Sequence, residues 1–450
     1  MSLTSTRLLL GVVLLVCSLR VAAQRNTPQR LPPSVDWQPV IEMDGQLFPS
    51  YVLATATAKL YDATDEDPNW LGDPNGMIGI RVMNPAAGTH LKLDVQLPNL
   101  TEAVSVYEGT LSDAGKLYYV FPLMRYDYER LPQLLQPRPA TAVFTLYLNG
   151  QRVGQKTKSF PVRAITDCPY VFENVYGDSE DISWMFAAYV NENHPDVDVL
   201  LNEALSTGLV SSIDGYQSGQ RADVYKQVFA LWTVFQKRGL KYSSVTRPSG
   251  GDSKAQSQTV RPLGQALRLT QANCVDGTVL FASVLRKIEL DPFLVLVPGH
   301  CFLGFYLDKA HKDFELLETT FLSGNASGSS SAKTLKLYGK WFGKDARHLR
   351  SWRDFRAAID DANDTYDQYK KKLEDETNTD LTCQIIDIDE CRKTGVMPIN
   401  QPLTILTMKT SPVIATSRKA GKPGLVQNRA EVRRNEPIGA QRPFARQNRP

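Results

Sequence analysis

Short apolar runs separated by Gly, Pro and Asp fill the first third of the chain. Tyr51 to Tyr61, Gly79 to Met83, Leu91 to Leu97, Leu117 to Phe121 and Ala142 to Leu148 are rich in β-branched or aromatic residues, and several alternate with polar positions. Asn149-Gly150 then offers a two-residue hairpin turn into Gln151 to Thr157. Strands at this spacing predict a β-sandwich over residues 45–165, reached through a Pro-containing linker at 24–44. No catalytic cluster falls within it. At Cys168-Pro169 the period changes. Asp181 to Ala187, Asp196 to Leu205 and Gln220 to Gly239 read as helical, the last with Val224, Val228, Leu231, Val234 and Phe235 at helical spacing. A polar connection from Pro248 to Gln258 leads to a short helix, Pro262 to Leu269. A helix from Cys274 to Ile288 follows, and then strands at Phe293 to Val297, Cys301 to Leu307 and Phe314 to Glu318. The expected class is α+β, with helices packed on an antiparallel sheet over residues 168–402.

The two ends differ from this body. Arg7 precedes an apolar run, Leu8 to Val16, too short to span a bilayer as a finished helix, and Val21-Ala-Ala23 supplies small residues at a cleavage position. Residues 1–23 therefore read as a secretory signal peptide, and no later segment is long and apolar enough for a membrane helix. A lipidated Cys17 is disfavoured by the bulky Val16 before it. The expected location is periplasmic or secreted. From Lys409 to Pro450 there are ten Lys or Arg against two Glu, so a net charge of +3 divides into +8 in the tail and −5 before it. The tail has few apolar residues and no period, which predicts disorder over 409–450. A solvated extension without a partner is the stronger expectation and contact with an anionic envelope the second, whereas the absence of aromatic interleaving argues against specific nucleic-acid binding.

Removal of the leader leaves Cys168, Cys274, Cys301, Cys383 and Cys391. An odd number in an oxidising compartment implies at least one free thiol, and leaves up to two bridges, with Cys383 and Cys391 plausible partners. There is no C-x-x-C or H-x-x-x-H spacing for a metal and no phosphate-cradling Gly loop, so no cofactor is expected.

The candidate chemistry is concentrated in 45 residues. Gln271-Ala-Asn-Cys-Val-Asp-Gly277 puts a thiol at a helix start, with Asn273 or Thr270 to cap it. Pro298-Gly-His300 puts an imidazole at a strand start, and Glu318 follows on the next strand. A helix's first turn favours the thiolate through its dipole and unpaired N–H groups, which can also hold an oxyanion. A hairpin centred near Lys309 or Ala310 sets residue 318 opposite 300 or 302, within reach of the ring. Asp308 is excluded, because eight residues of strand carry it about 26 Å away. Cys301 points to the other face from His300. Taken alone, the same residues also fit a buried structural thiol and a core histidine.

Ala272 to Ser283, Phe293 to His300 and Phe314 to Thr320 together resemble the transglutaminase-like superfamily, in particular bacterial members of poorly defined activity. The resemblance spans roughly residues 168–402 and is strongest over 261–320. It implies a papain-like core in which Cys274 is the nucleophile, His300 the base and Glu318 the orienting acid, where most members have Asp. It also implies a thioester acyl-enzyme formed on peptide or side-chain amides of a protein or peptide substrate, resolved by water or by an amine. Gln265, Gln271 and Asn273 are candidates for a side-chain donor to the oxyanion. The competing expectation is a catalytically silent scaffold that binds protein or envelope partners.

Overall fold

The computed structural model describes residues 35–58, 67–244, 254–324, 350–375 and 377–399. The expected leader, the basic tail, most of the polar connection at 248–258 and most of the Ser- and Gly-rich stretch from Ser323 to Ala332 lie outside them. Within them the chain is mixed α and β, with several mainly antiparallel sheets.

The first region builds two four-stranded sheets. Strands β1 (Trp37–Ile41), β2 (Trp70–Gly72), β3 (Ile78–Met83) and β6 (Leu117–Phe121) form one, in the order β1-β3-β6-β2. Strands β4 (Thr89–Gln96), β5 (Ser105–Leu111), β7 (Arg138–Leu148) and β8 (Gln151–Val162) form the other, in the order β5-β4-β7-β8. Alternation sets the buried face: Leu91, Leu93 and Val95 of β4 and Ala142, Phe144 and Leu146 of β7 point inward, as do Ile78, Ile80 and Val82 of β3. Both inner faces feed one core. Asn149 and Gly150 take φ of 49° and 77° and make the expected hairpin turn between β7 and β8.

Two expectations fail here. The linker at 24–44 contains β1, which pairs with β3 at the sheet's edge, where Pro39 is tolerated. The strand expected at Tyr51 to Tyr61 is instead a helix over Pro49–Thr55, and residues 59–61 lie outside the described set. Pro49 at its first turn is preorganised for a helix, and Tyr51, Val52 and Ala54 are all buried. Burial on nearly every side removes the polar face that would have announced a helical period. This helix joins the two halves. Ser50 Oγ donates to Asp167 O at 2.6 Å, Tyr51 packs on Trp184 with ring centroids 6.2 Å apart, and Met397 N donates to Ala54 O at 2.9 Å. The main hydrophobic core is continuous through both halves. Just before the helix, Glu42 opens a left-handed turn (Met43 φ 51°, Asp44 φ 60°). Glu42 is 3 % exposed, and its Oε1 has no hydrogen-bond partner.

The second half starts with β9 (Asp167–Glu173), flanked by β10 (Ser179–Asp181) and, later, β12 (Ala255–Thr259). The expected polar loop therefore ends earlier than read, since its last residues pair with β9. Ser183–Tyr189 is a buried 3-10 segment, and helices follow at Pro195–Ser206, Arg221–Arg238 and Leu263–Leu269. Short strands β11 (Lys241–Tyr242) and β13 (Gln271–Ala272) pair in parallel ahead of the Cys274–Lys287 helix. Then come β14 (Pro292–Val297), β15 (His300–Tyr306), β16 (Phe314–Leu317) and β17 (Gln384–Asp387), in the order β16-β15-β14-β17.

This last sheet is covered on both faces. Leu294, Cys301, Leu303 and Phe305 face the main core, where the Cys274–Lys287 helix packs. Phe293, Val295 and Phe302 face a second cluster with Ala362, Tyr366 and Leu373 of the Arg350–Leu373 helix, an element the sequence reading did not anticipate. The same division accounts for the cysteines. All five described thiols are free, against the expected bridges. Cys391 belongs to the main core and Cys383 to the second cluster, so the sheet stands between the proposed partners.

Candidate active site

The Cys274–Lys287 helix begins with a closed capping box. Asn273 Oδ1 accepts from Asp276 N at 2.8 Å, and Asp276 Oδ2 accepts from Asn273 N at 3.0 Å. Arg261 holds the same carboxylate through its own N–H (2.7 Å) and its guanidinium (2.6 Å). Asp276 is fully buried, and burial raises its carboxyl above the ordinary range in spite of these bonds. A reciprocal cap of this type stabilises a helix start by ~1 kcal/mol. Here it also fixes where Cys274, the first helical residue, presents its half-buried thiol.

Beneath Cys274 lie two threonines that sequence reasoning did not single out. Thr278 Oγ1 donates to Cys274 O at 2.7 Å, and Thr319 Oγ1 reaches the same carbonyl at 3.5 Å. Thr319 belongs to the 3-10 segment Thr319–Ser323, which crosses the helix where Gly277 sits. A Cβ at Gly277 would stand 2.7 Å from Thr319 Oγ1, so the glycine lets the acid-bearing segment approach.

His300 is placed by a two-residue turn, with Val297 paired to His300 and Gly299 at φ 73°. Leu303 pairs with Leu317, so continuing that register sets residue 318 opposite 302, one of the two expected positions, and diagonal to 300. Glu318 closes the diagonal: its Oε2 bonds His300 Nε2 in a short contact, and its Oε1 accepts from Thr320 N at 2.8 Å. Glu318 N in turn donates to Ala358 O at 3.1 Å, so the Arg350–Leu373 helix anchors the acid's backbone. Glu318 is 2 % exposed. With Nε2 occupied, Nδ1 is the ring nitrogen left for the thiol.

The structure thus brings Cys274, His300 and Glu318 together. Burial alone would lower the His300 imidazole, but hydrogen bonds to Cys274 and Glu318 and the charges of both push it up to about 10. An imidazole in that state is a proton donor at neutral pH and a counter-ion for a thiolate. Cys301, by contrast, is 1 % exposed in the main core, and burial raises its thiol well above the ordinary value. Its side chain lies on the opposite face of β15 from His300, as strand alternation predicts.

Two further side chains lie near the three groups. Tyr242 on β11, 46 % exposed, pairs with Ala272; burial raises its hydroxyl, followed by the charges of Cys274 and Glu318. Asp361 lies three residues past Ala358 on the cover helix, and its carboxyl is raised by burial, then by Glu318. Among the oxyanion candidates, the Asn273 oxygen is committed to the cap, Gln271 is exposed on β13 and Gln265 is half-buried on the Leu263–Leu269 helix. No group of three or more His, Cys, Asp or Glu able to hold a metal occurs among the described residues. Comparison of the chain with protein-family models and with curated proteins returns no match.

Proposed function

We propose that this chain is an exported transglutaminase-like cysteine hydrolase or acyltransferase acting on peptide or side-chain amides. The observation that supports it best is the bond from His300 to the buried Glu318, beside a thiol held at a capped helix start. The Cys274 thiolate attacks an amide carbonyl carbon, and the negative charge moves to the carbonyl oxygen beside the helix's first N–H groups. Collapse breaks the C–N bond, the imidazolium of His300 gives its proton to the departing nitrogen, and a thioester remains. His300 then takes a proton from water or from an amine as that nucleophile attacks the thioester, and the thiol is regenerated. Water yields an acid, and an amine yields a new amide.

In this reading residues 168–402 form a papain-like core, and the two four-stranded sheets before it form a β-sandwich that carries no catalytic group. Export rests on the leader-like start of the sequence, and envelope contact on the basic tail. The test is release of ammonia, or incorporation of an amine probe, with Gln-containing peptides. Activity present in the wild type and absent from Cys274→Ala supports the proposal. Equal background in both, together with slow thiol labelling at neutral pH, would leave the binding-scaffold reading in its place.

A further inference from the structure

Between the Pro49–Thr55 helix and the loops at 73–77 and 123–128 lies a pocket of about 290 Å³, at the small end of ligand-site volumes. One side is apolar, with Val52, Met77 and Met124. Asp73, Asn75 and Tyr126 line the pocket as well. Tyr126 is 7 % exposed, yet its hydroxyl has no hydrogen-bond partner, and Asn75 Oδ1 is buried with none either. Two orphaned polar atoms on residues that line one pocket are unusual, because a buried polar group without a partner costs about 1–3 kcal/mol. Asn75 N donates to Asp73 Oδ1 at 2.9 Å, and this fixes the loop that carries both residues. Among the described residues, no Lys, Arg or His lines the pocket.

We propose that this pocket binds a primary alkylammonium group, such as a lysine side chain, with the ammonium on Asp73, Asn75 and Tyr126 and the alkyl stem along Val52, Met77 and Met124. An ammonium carries three donors and no acceptor, which matches the Asp73 carboxylate beside two unpartnered oxygens. A sugar hydroxyl or an alcohol both donates and accepts, and an anion would meet the carboxylate. The stem of a lysine is apolar and covers apolar surface while its head is solvated by oxygens. Burial raises the Asp73 carboxyl, and the same Asp73 charge adds to the burial that raises Tyr126 and Tyr128. A bound cation relieves both effects.

Calorimetric titration of the full chain with n-butylammonium chloride, n-butanol and sodium butyrate at equal ionic strength and neutral pH tests this. Saturable binding of n-butylammonium alone is expected, weakened about tenfold or more in Asp73→Asn and also reduced in Tyr126→Phe. Tyr126→Phe removes an oxygen that holds no hydrogen bond, so it keeps the fold, as a thermal melt will verify. Absence of n-butylammonium binding, equal binding of n-butanol, or undiminished binding to a folded Asp73→Asn each overturns the proposal. Because the pocket lies in the region without catalytic residues, this outcome is independent of activity at Cys274.

Discussion

Glu318 reaches His300 across a diagonal of the sheet, since continued strand register pairs it with Phe302. A diagonal neighbour lies farther off than a direct one, and the extra methylene of glutamate spans that difference. Glu318→Asp is therefore expected to leave the imidazole poorly held, although the two acids share chemistry and aspartate is usual in the family this site resembles. A misplacement of about 1 Å can lower a rate by ~100-fold. Amide turnover by Glu318→Asp should fall by about that factor, close to that of Glu318→Ala. Wild-type turnover in Glu318→Asp would mean that the strands adjust and the diagonal carries no weight.

Cys274→Ala should abolish acyl transfer, and His300→Ala should be nearly as damaging, since it removes the thiolate's counter-ion and the proton donor together. Alkylation of Cys274 by iodoacetamide at neutral pH should be fast in the wild type and markedly slower in His300→Ala. Identical rates in the two proteins would sink the thiolate–imidazolium pair.

The His300 imidazole should stay protonated through neutral pH and titrate near 10, followed by NMR of the ring. Two of the influences that raise it come from Cys274, so Cys274→Ala should move the titration to lower pH, and Glu318→Gln should do the same. The sign for stability follows from a folded-state value above the unfolded one of ~6.5. This group's contribution is fully present below about that pH and is lost as pH rises towards 10. A ring that titrates unchanged in Cys274→Ala is not bonded to the thiol.

Glu42 has a consequence of the same sign, at lower pH, at the junction of the two halves. Burial, and then the charge of Glu180, raises its carboxyl from 4.5 to about 8. The folded state holds this proton more tightly than the unfolded one, so stability should decline as pH rises from 4.5 to about 8 and level off beyond. Glu42→Gln should flatten that part of the curve of thermal midpoint against pH. An unchanged curve in the variant would locate the pH dependence elsewhere.

Limited proteolysis should leave the two halves in one resistant body, because the Pro49–Thr55 helix and the 397–399 segment carry core contacts between them. Early accumulation of a fragment beginning near residue 168 would show that the shared core does not hold them.

The site was more legible than its supports. Asn273 before Cys274, Pro298-Gly299 before His300 and the hairpin length before Glu318 are local signals, and local physics decides them. The Pro49–Thr55 helix was hidden because tertiary burial replaced its polar face. The Arg350–Leu373 helix was within reach, since Trp352, Phe355, Ile359, Ala362 and Tyr366 recur at helical spacing, but its many charged residues mask that stripe. The bond from Glu318 N to Ala358 O joins residues 40 apart, and no periodicity encodes such a partner. The unbridged state of Cys383 and Cys391 was equally hidden, for it depends on which face of the sheet each thiol meets.

The anchoring of Glu318 by Ala358 also sets an order of events in biogenesis. A chain growing from its N-terminus acquires thiol, imidazole and carboxylate well before the helix that fixes the carboxylate has been made. Until residue 358 has emerged and docked, Glu318 lacks the bond to Ala358, so under the proposed mechanism a nascent or truncated chain is expected to be chemically quiet. Under the proposed mechanism the nucleophile would thereby be withheld from neighbouring proteins during synthesis, with reactivity arriving only with the completed fold.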